Sequence, residues 1–327
     1  MRYFSTFTGI GGFELGIIKA YENTNRRKLS GKTTKSVRSG RTDSARLRVG
    51  RKQNAVCIGY SEIDRYATQI YSKQFPKHKN YGDITKINEK ELPDFDLFVG
   101  GFPCQAFSIA GKRGGFEDTR GTLFFDIARI LKAKRPRHVL LENVKGLLSH
   151  DEGRTFKTII ATFTELGYGV EWQVLNTKNF GIPQNRERVY IVGHSGGFRG
   201  RAVFPFGTGG KKDIKPDGRK STEVFPTIRA THYKSGDNQP VVAQPFIQNP
   251  KMRNYKKDYN NSVAITASVY KEPPTVNAIR RLTPTECERL QGFPDGWTNG
   301  VSDTQRYKTL GNAVTTNVVE AIISRLI

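Results

Sequence analysis

The sequence predicts an α/β fold: a mostly parallel sheet covered on both faces by helices, with a smaller lobe rich in short strands. Three observations carry that reading. Apolar strand-like runs alternate with helical periodicity up to about residue 195 and again from 281. Between 196 and 280 that periodicity gives way to glycine, proline, lysine and short β-branched runs at 224–228, 241–242 and 263–266. A glycine turn, Gly9-Ile10-Gly11-Gly12, joins the first strand to the first helix. The expected organisation is a large domain over 1–195, interrupted by a basic insertion at 24–54, then a β-rich lobe over 196–280. Residues 281–327 return to the large domain.

Taken in order, residues 2–7 read as the first strand. Phe13, Ile17, Ala20 and Tyr21 follow the turn at helical spacing. Glycines there admit close backbone approach, and a helix N-terminus favours a negative group, as nucleotide-cofactor loops require. The dehydrogenase pattern G-x-G-x-x-G fails, because Glu14 stands where a small residue is needed. Residues 24–54 carry eleven Lys or Arg against one Asp and contain no aromatic. Such a segment cannot bury enough apolar surface to offset its ordering entropy, so a flexible insertion is expected. It serves either as a solvated loop or as a clamp on a nucleic-acid backbone. Gly31-Lys32-Thr33 is not a phosphate loop, since that motif needs glycine where Arg26 stands. A second strand at 55–59 ends near Glu62, where α/β folds of this kind bind ribose hydroxyls. A helix at 65–74 and the turn Gly82-Asp83-Ile84-Thr85 follow.

The strand at 96–99 runs into Gly101-Phe102-Pro103-Cys104-Gln105, with Ser108 close behind. Proline fixes the backbone before the cysteine. A thiol at the C-terminal end of such a strand stands where α/β proteins bind substrates; a buried inert cysteine is the alternative. Leu123, Phe124, Ile127, Ala128 and Leu131 form a helical face. A strand at 138–141 ends in Glu142-Asn143-Val144. A helix through Phe156, Ile159, Ile160, Phe163 and Leu166, a strand at 169–175, Gln184-Asn185-Arg186-Glu187-Arg188 and a strand at 189–192 follow. Thr283-Pro284-Thr285-Glu286 is a capping box with proline at the first helical position. Gly292-Phe293-Pro294 stops that helix. Leu310-Gly311-Asn312-Ala313-Val314 is expected to open a last amphipathic helix.

The net charge of the 327 residues is +23, and its placement says more than its size. Residues 196–280 carry fifteen Lys or Arg against six acids, so this lobe and 24–54 hold most of the excess. A polyanionic partner is implied, nucleic acid well ahead of membrane, because no amphipathic anchor or spanning run occurs. Three scattered cysteines (Cys57, Cys104 and Cys287) exclude a disulfide framework and a four-ligand zinc site, and fit a reducing compartment.

In order, Phe7-Thr8-Gly9-Ile10-Gly11-Gly12, Glu62, Gly82-Asp83-Ile84, Gly101-Phe102-Pro103-Cys104-Gln105, Glu142-Asn143-Val144, Gln184-Asn185-Arg186-Glu187-Arg188, Arg281-Leu282-Thr283-Pro284 through Gly292-Phe293-Pro294, and Gly311-Asn312-Ala313-Val314 resemble the DNA cytosine-5 methyltransferases. The match covers most of the chain outside 24–54 and 196–280. It implies a Rossmann-like S-adenosylmethionine-dependent methyltransferase fold with a small β-rich target-recognition domain. It implies Cys104 as the thiolate that adds to cytosine C6, Glu142 at N3, Arg188 at the carbonyl side of the base and Arg186 holding Glu142 or the thiol loop. Phe7, Gly9, Gly11, Gly12, Glu62, Asp83, Pro103 and Asn312 would bind the cofactor, with no metal. Gln105, Ser108, Lys112, Arg113, Arg120, Thr227 and Arg229 would contact DNA, the loop after Cys104 acting as a lid over a flipped-out base. The expected setting is a monomer on double-stranded DNA, in the cytoplasm of a prokaryotic or phage-infected cell, with a cognate restriction endonuclease as genetic partner. RNA cytosine-5 methylation and a catalytically silent DNA-binding regulator are the alternatives.

Overall fold

The computed structural model describes residues 1–36, 54–103, 123–197, 202–207, 225–226, 241–243 and 279–327. Its first half contains β1 (Arg2–Thr6), α1 (Gly12–Ser36), β2 (Val56–Ser61), α2 (Arg65–Gln74), β3 (Leu97–Gly100), α3 (Leu123–Lys134) and β4 (His138–Val144). Then come α4 (Arg154–Glu165), β5 (Tyr168–Asn176), β6 (Gln184–Asn185), β7 (Glu187–Ser195), β8 (Phe225–Pro226), β9 (Val241–Ala243) and β10 (Ile279–Arg281). Three helices close the chain: α5 (Pro284–Leu290), α6 (Asp303–Asn312) and α7 (Thr316–Leu326).

Six strands form one sheet in the order β2-β1-β3-β4-β7-β5. The pairs from β2 to β4 are parallel, whereas β7 runs antiparallel to both β4 and β5. The chain leaves β1 for β2 on one side and returns to β3 on the other, so a crevice opens between β1 and β3 at their C-terminal ends. Strand alternation sends side chains to two separate cores. Phe98, Val139, Leu141 and Ile191 pack with Phe124, Ile127, Leu131, Ile159 and Phe163 of α3 and α4. Leu97, Val99, Leu140, Tyr190 and Val192 face the other way, onto Ile17 and Ala20 of α1 and Val318, Val319 and Ile322 of α7.

The last helix therefore packs against the first helix. Lys19 of α1 reinforces the contact, its Nζ donating to Gly292 O at 2.7 Å and Thr316 Oγ1 at 2.9 Å. The capping box is present: Thr283 Oγ1 accepts from Glu286 N at 3.3 Å, and Glu286 Oε2 accepts from Thr283 N at 2.8 Å.

Three expectations are corrected. Residues 24–36, read as part of an irregular insertion, continue α1. A helix already nucleated by its packed first turns adds residues at low cost, so Arg26 and Arg27 need no apolar stripe of their own. Helix α6 was not anticipated, because its sequence is polar and buries only Thr309, Leu310 and Gly311. Gly311 and Asn312 consequently close α6 rather than open the last helix, which starts at Thr316. Within 196–280, β8 pairs with β6 and β9 pairs with β10, whereas the run at 263–266 lies outside the described residues.

Gly16 marks the closest approach of α1 to α7. A Cβ there would stand 2.6 Å from both Cβ and Cγ1 of Val319 and 2.9 Å from Thr316 O. Gly16→Ala is expected to cost about 1–3 kcal/mol, read as a lowered denaturant midpoint at unchanged slope. Gly146, whose Cβ would meet nothing within 4 Å, is the control, expected within about 0.5 kcal/mol of wild type on replacement by Ala.

Candidate active site

The parallel strands all end on one edge of the sheet, and β7, running the other way, begins there. Residues following β1, β2, β3 and β4, those entering β7, and the end of α6 line one cavity of about 630 Å³. It gathers Phe7, Gly9, Glu62, Pro103, Glu142, Arg186, Arg188 and Asn312, all expected from the sequence. Cys104, Gln105, Ser108, Lys112, Arg113, Arg120, Thr227 and Arg229 lie outside the described residues.

On the β1–β2 side, Phe7 leaves its strand with φ 51°, a left-handed conformation that costs a bulky residue energy and that clusters at functional sites. Gly9, at φ 57°, follows. Its N–H donates to Glu62 Oε2 at 2.8 Å, and Glu62 Oε1 accepts from Ile63 N at 2.9 Å and Asp64 N at 2.8 Å. Three backbone donors thus fix one carboxylate in the wall of the cavity, leaving acceptor capacity for a hydroxyl pair.

Gly11 and Gly12 do not line the cavity. A Cβ on Gly11 would stand 2.6 Å from Phe75 Cε2, and one on Gly12 would stand 2.7 Å from Val314 Cγ1. These two glycines admit protein neighbours. Asp83 is also outside the lining. It caps a short 3₁₀ turn, accepting from Thr85 N at 3.0 Å and Thr85 Oγ1 at 2.8 Å, and these bonds hold its carboxyl below the usual range.

On the β4–β7 side, register sets the chemistry. Glu142 lies opposite Tyr190, and Val144 lies opposite Arg188, so Glu142 and Arg188 are diagonal neighbours on one face. The long arginine spans that diagonal: Arg188 Nε stands 3.1 Å from Glu142 Oε1, both side chains being largely buried. Arg186, 3% exposed, donates from Nη2 to Ala313 O at 2.9 Å and Gly311 O at 3.2 Å. Burial first, then the charge of Arg188, pushes its pKa down to about 9, still cationic at neutral pH. Among the described residues the ion-pair partner of Glu142 is Arg188. The register explains this, because Arg186 enters before β7 begins and lies beside the α6–α7 junction.

Sequence reasoning gave no role to Asn143 or Asp64, which also line the cavity. Asn143, 3% exposed, donates from Nδ2 to Phe102 O at 2.9 Å. It ties the end of β4 to the backbone that leads into Pro103. Asp64 caps α2 by accepting from Tyr66 N at 2.9 Å and Ala67 N at 3.0 Å, and pairs with Lys308 Nζ at 2.7 Å. Its signal was available: an aspartate directly before a periodic helix is a cap. Among the described residues no group of His, Cys, Asp and Glu side chains is placed to hold a metal ion, and no helix is long and apolar enough to cross a membrane.

The comparisons agree with this geometry. The family model for C-5 cytosine-specific DNA methylase matches residues 1–223 and 208–327. The chain is 38% identical over 335 residues to the Type II methyltransferase M.NlaX of Neisseria lactamica, covering 98% of this chain and 94% of that one. It is 41% identical to M1.ScrFI of Lactococcus lactis subsp. cremoris (82% and 71% covered) and 38% identical to M.HhaI of Haemophilus parahaemolyticus (82% and 86% covered). The structure of the S. pombe Dnmt2 methyltransferase superposes with a TM-score of 0.65 at 19% identity, over 99% of this chain and 97% of that one, and shares the fold. A cavity at the switch point of a mostly parallel sheet, a paired Glu142 and Arg188 on its edge, and a family match along nearly the whole chain lead to one conclusion: this chain belongs to the C-5 cytosine-specific DNA methylases and is a DNA cytosine-5 methyltransferase.

Proposed function

We propose that the enzyme methylates a cytosine turned out of duplex DNA, through a covalent adduct on Cys104. The carrying observation is that Glu142, Arg186, Arg188 and Pro103 share one cavity with Glu62 and Phe7, so base chemistry and donor binding have a common space. Cys104 follows Pro103 in the chain. As thiolate, its sulfur adds to C6 of cytosine, and the C5–C6 electron pair moves so that C5 becomes nucleophilic. Glu142, held by Arg188 and sharing a proton with the base, hydrogen-bonds N3, where negative charge would otherwise build. Arg188 reaches the carbonyl side of the base. Arg186 keeps the edge electropositive, which favours thiolate over thiol.

The cavity wall fits an S-adenosylmethionine donor: a carboxylate fixed by three backbone amides suits ribose hydroxyls, and Phe7 supplies an apolar surface for a flat base. When bound, that donor supplies the electrophilic methyl group. With the donor bound, C5 would take its methyl and leave the demethylated thioether; an ordered water would take the C5 proton, and the electrons of that bond would expel Cys104 as thiolate, restoring the aromatic ring.

Duplex DNA is the substrate in this reading. Lys112, Arg113 and Arg120 contact phosphates, and the basic 196–280 lobe, including Thr227 and Arg229, reads the target sequence. The enzyme acts as a monomer in the cytoplasm, alongside an endonuclease of the same specificity. The Type II names of its relatives support that setting.

Two outcomes are expected. Duplex DNA carrying 5-fluorocytosine in the target should form a denaturant-stable adduct with the wild-type enzyme in the presence of donor, and Cys104→Ala should form none while retaining DNA binding. Absence of any wild-type adduct would remove the covalent route. Asn143→Ala frees the Phe102 carbonyl and should lower single-turnover rate by about 10²-fold through misplacement of the thiol loop, with DNA affinity kept.

A further inference from the structure

Glu14 is the third residue of α1 and is fully buried, away from the cavity lining but beneath the turn that shapes it. Ser5 Oγ donates to Thr8 Oγ1 at 3.0 Å, and Thr8 Oγ1 donates to Glu14 Oε1 at 2.8 Å. Thr8 O in turn accepts from Gly11 N at 3.1 Å, closing the turn that presents Gly9 N to Glu62. The hydroxyl that sets this turn is thus anchored on one buried carboxyl.

That carboxyl has unusual company. Its Oε2 is buried with no hydrogen-bond partner among the described residues. The ionisable groups facing it are Tyr3 from β1, Cys57 and Tyr60 from β2, and Tyr71 from α2, whose hydroxyl is bonded to His78 Nδ1 at 3.0 Å. Tyr3, Cys57, Tyr60 and Tyr71 are all acids, and among the described residues no cation acts on Glu14. The hydroxyls of Ser5, Thr8 and Tyr71, its own backbone N–H and the N-terminus of α1 favour negative charge on Glu14, but taking a carboxylate wholly out of water is the larger effect.

We propose that Glu14 is a positioning residue for the cofactor turn, held as a neutral carboxylic acid whose Oε1 fixes Thr8 and, through it, the backbone of Phe7 and Gly9. This rests on the donor site argued above. Burial raises the Glu14 pKa above its ordinary value of 4.5, in agreement with the geometry.

The test uses the full chain and three variants. Glu14→Gln keeps an acceptor for Thr8 and cannot ionise; Glu14→Ala and Thr8→Val cut the bond. The first readout is melting temperature of the unliganded protein from pH 5 to 9. A carboxyl whose folded pKa exceeds its unfolded 4.5 contributes stability that is complete below that value and is lost as pH rises through the folded pKa. Wild type is therefore expected to lose ground against Glu14→Gln as pH rises, then level off. A difference that stays constant, or that moves the other way, overturns the neutral acid.

The second readout is calorimetric affinity for S-adenosylhomocysteine. Glu14→Gln is expected within about threefold of wild type, and Thr8→Val and Glu14→Ala about tenfold weaker, one lost hydrogen bond. Wild-type affinity in Thr8→Val, which serves even where Glu14→Ala fails to fold, overturns the positioning role. If the wild-type chain itself does not bind, the donor-site reading falls, and the pH readout still decides the state of Glu14.

Discussion

A buried guanidinium holds the active edge together. Arg186 arrives from the strand entry and lodges against carbonyls of Gly311 and Ala313, 125 and 127 residues further along the chain. A cation out of water is tolerated only where its donors are matched, so the α6–α7 junction must sit in one place. That junction is fixed from the other side as well. Gln291, fully buried, donates to Leu310 O at 2.9 Å and accepts from Thr315 Oγ1 at 2.9 Å, and Thr315 meets Thr177 at 3.0 Å. Such a network is stiff because every member would be costly to leave unmade. With Arg186 committed to the α6–α7 junction before β7 begins, Arg188, inside the β4–β7 register, is left to face Glu142.

The opposite wall is built by packing. Trp297 reaches across to donate from Nε1 to Ile10 O at 2.8 Å, in the middle of the glycine turn. Gly11 and Gly12 let Phe75 and Val314 press against the turn. Glu288, buried, accepts from Gly296 N at 2.6 Å and Thr298 N at 2.8 Å and pairs with Arg306 at 3.2 Å, so α5, α6 and the loop between them move as one body. This side of the cavity is therefore a turn clamped between segments far apart in the sequence.

Much of this was legible in the sequence, and for identifiable reasons. Leu97, Phe98 and Val99 form a short continuous apolar run because β3 is covered on both faces. Helix α2 was legible because apolar residues recur along it, although the cap at Asp64 went unused. Glu142, Arg186 and Arg188 came from their place at strand ends within a recognisable series of motifs. What stayed hidden were long-range choices between equivalent partners. Nothing local tells Arg186 from Arg188, since their roles depend on the antiparallel register of β4 with β7. Helix α6 stayed hidden because it is stabilised by burial of its last turn and by ion pairs such as Lys308 with Asp64, and it has no apolar stripe.

The floor of the cavity has a consequence for biosynthesis. Thr309, Gly311 and Asn312 follow Phe7 and Gly9 by about 300 residues, and all five line the cavity. A polypeptide emerging from the ribosome completes every strand of the large sheet before α6 leaves the exit tunnel. Until then Arg186 lacks two of its carbonyl acceptors and the glycine turn lacks Trp297. The nascent enzyme thus completes this cavity only after α6 has been made, a built-in delay between forming the sheet and the first modified cytosine.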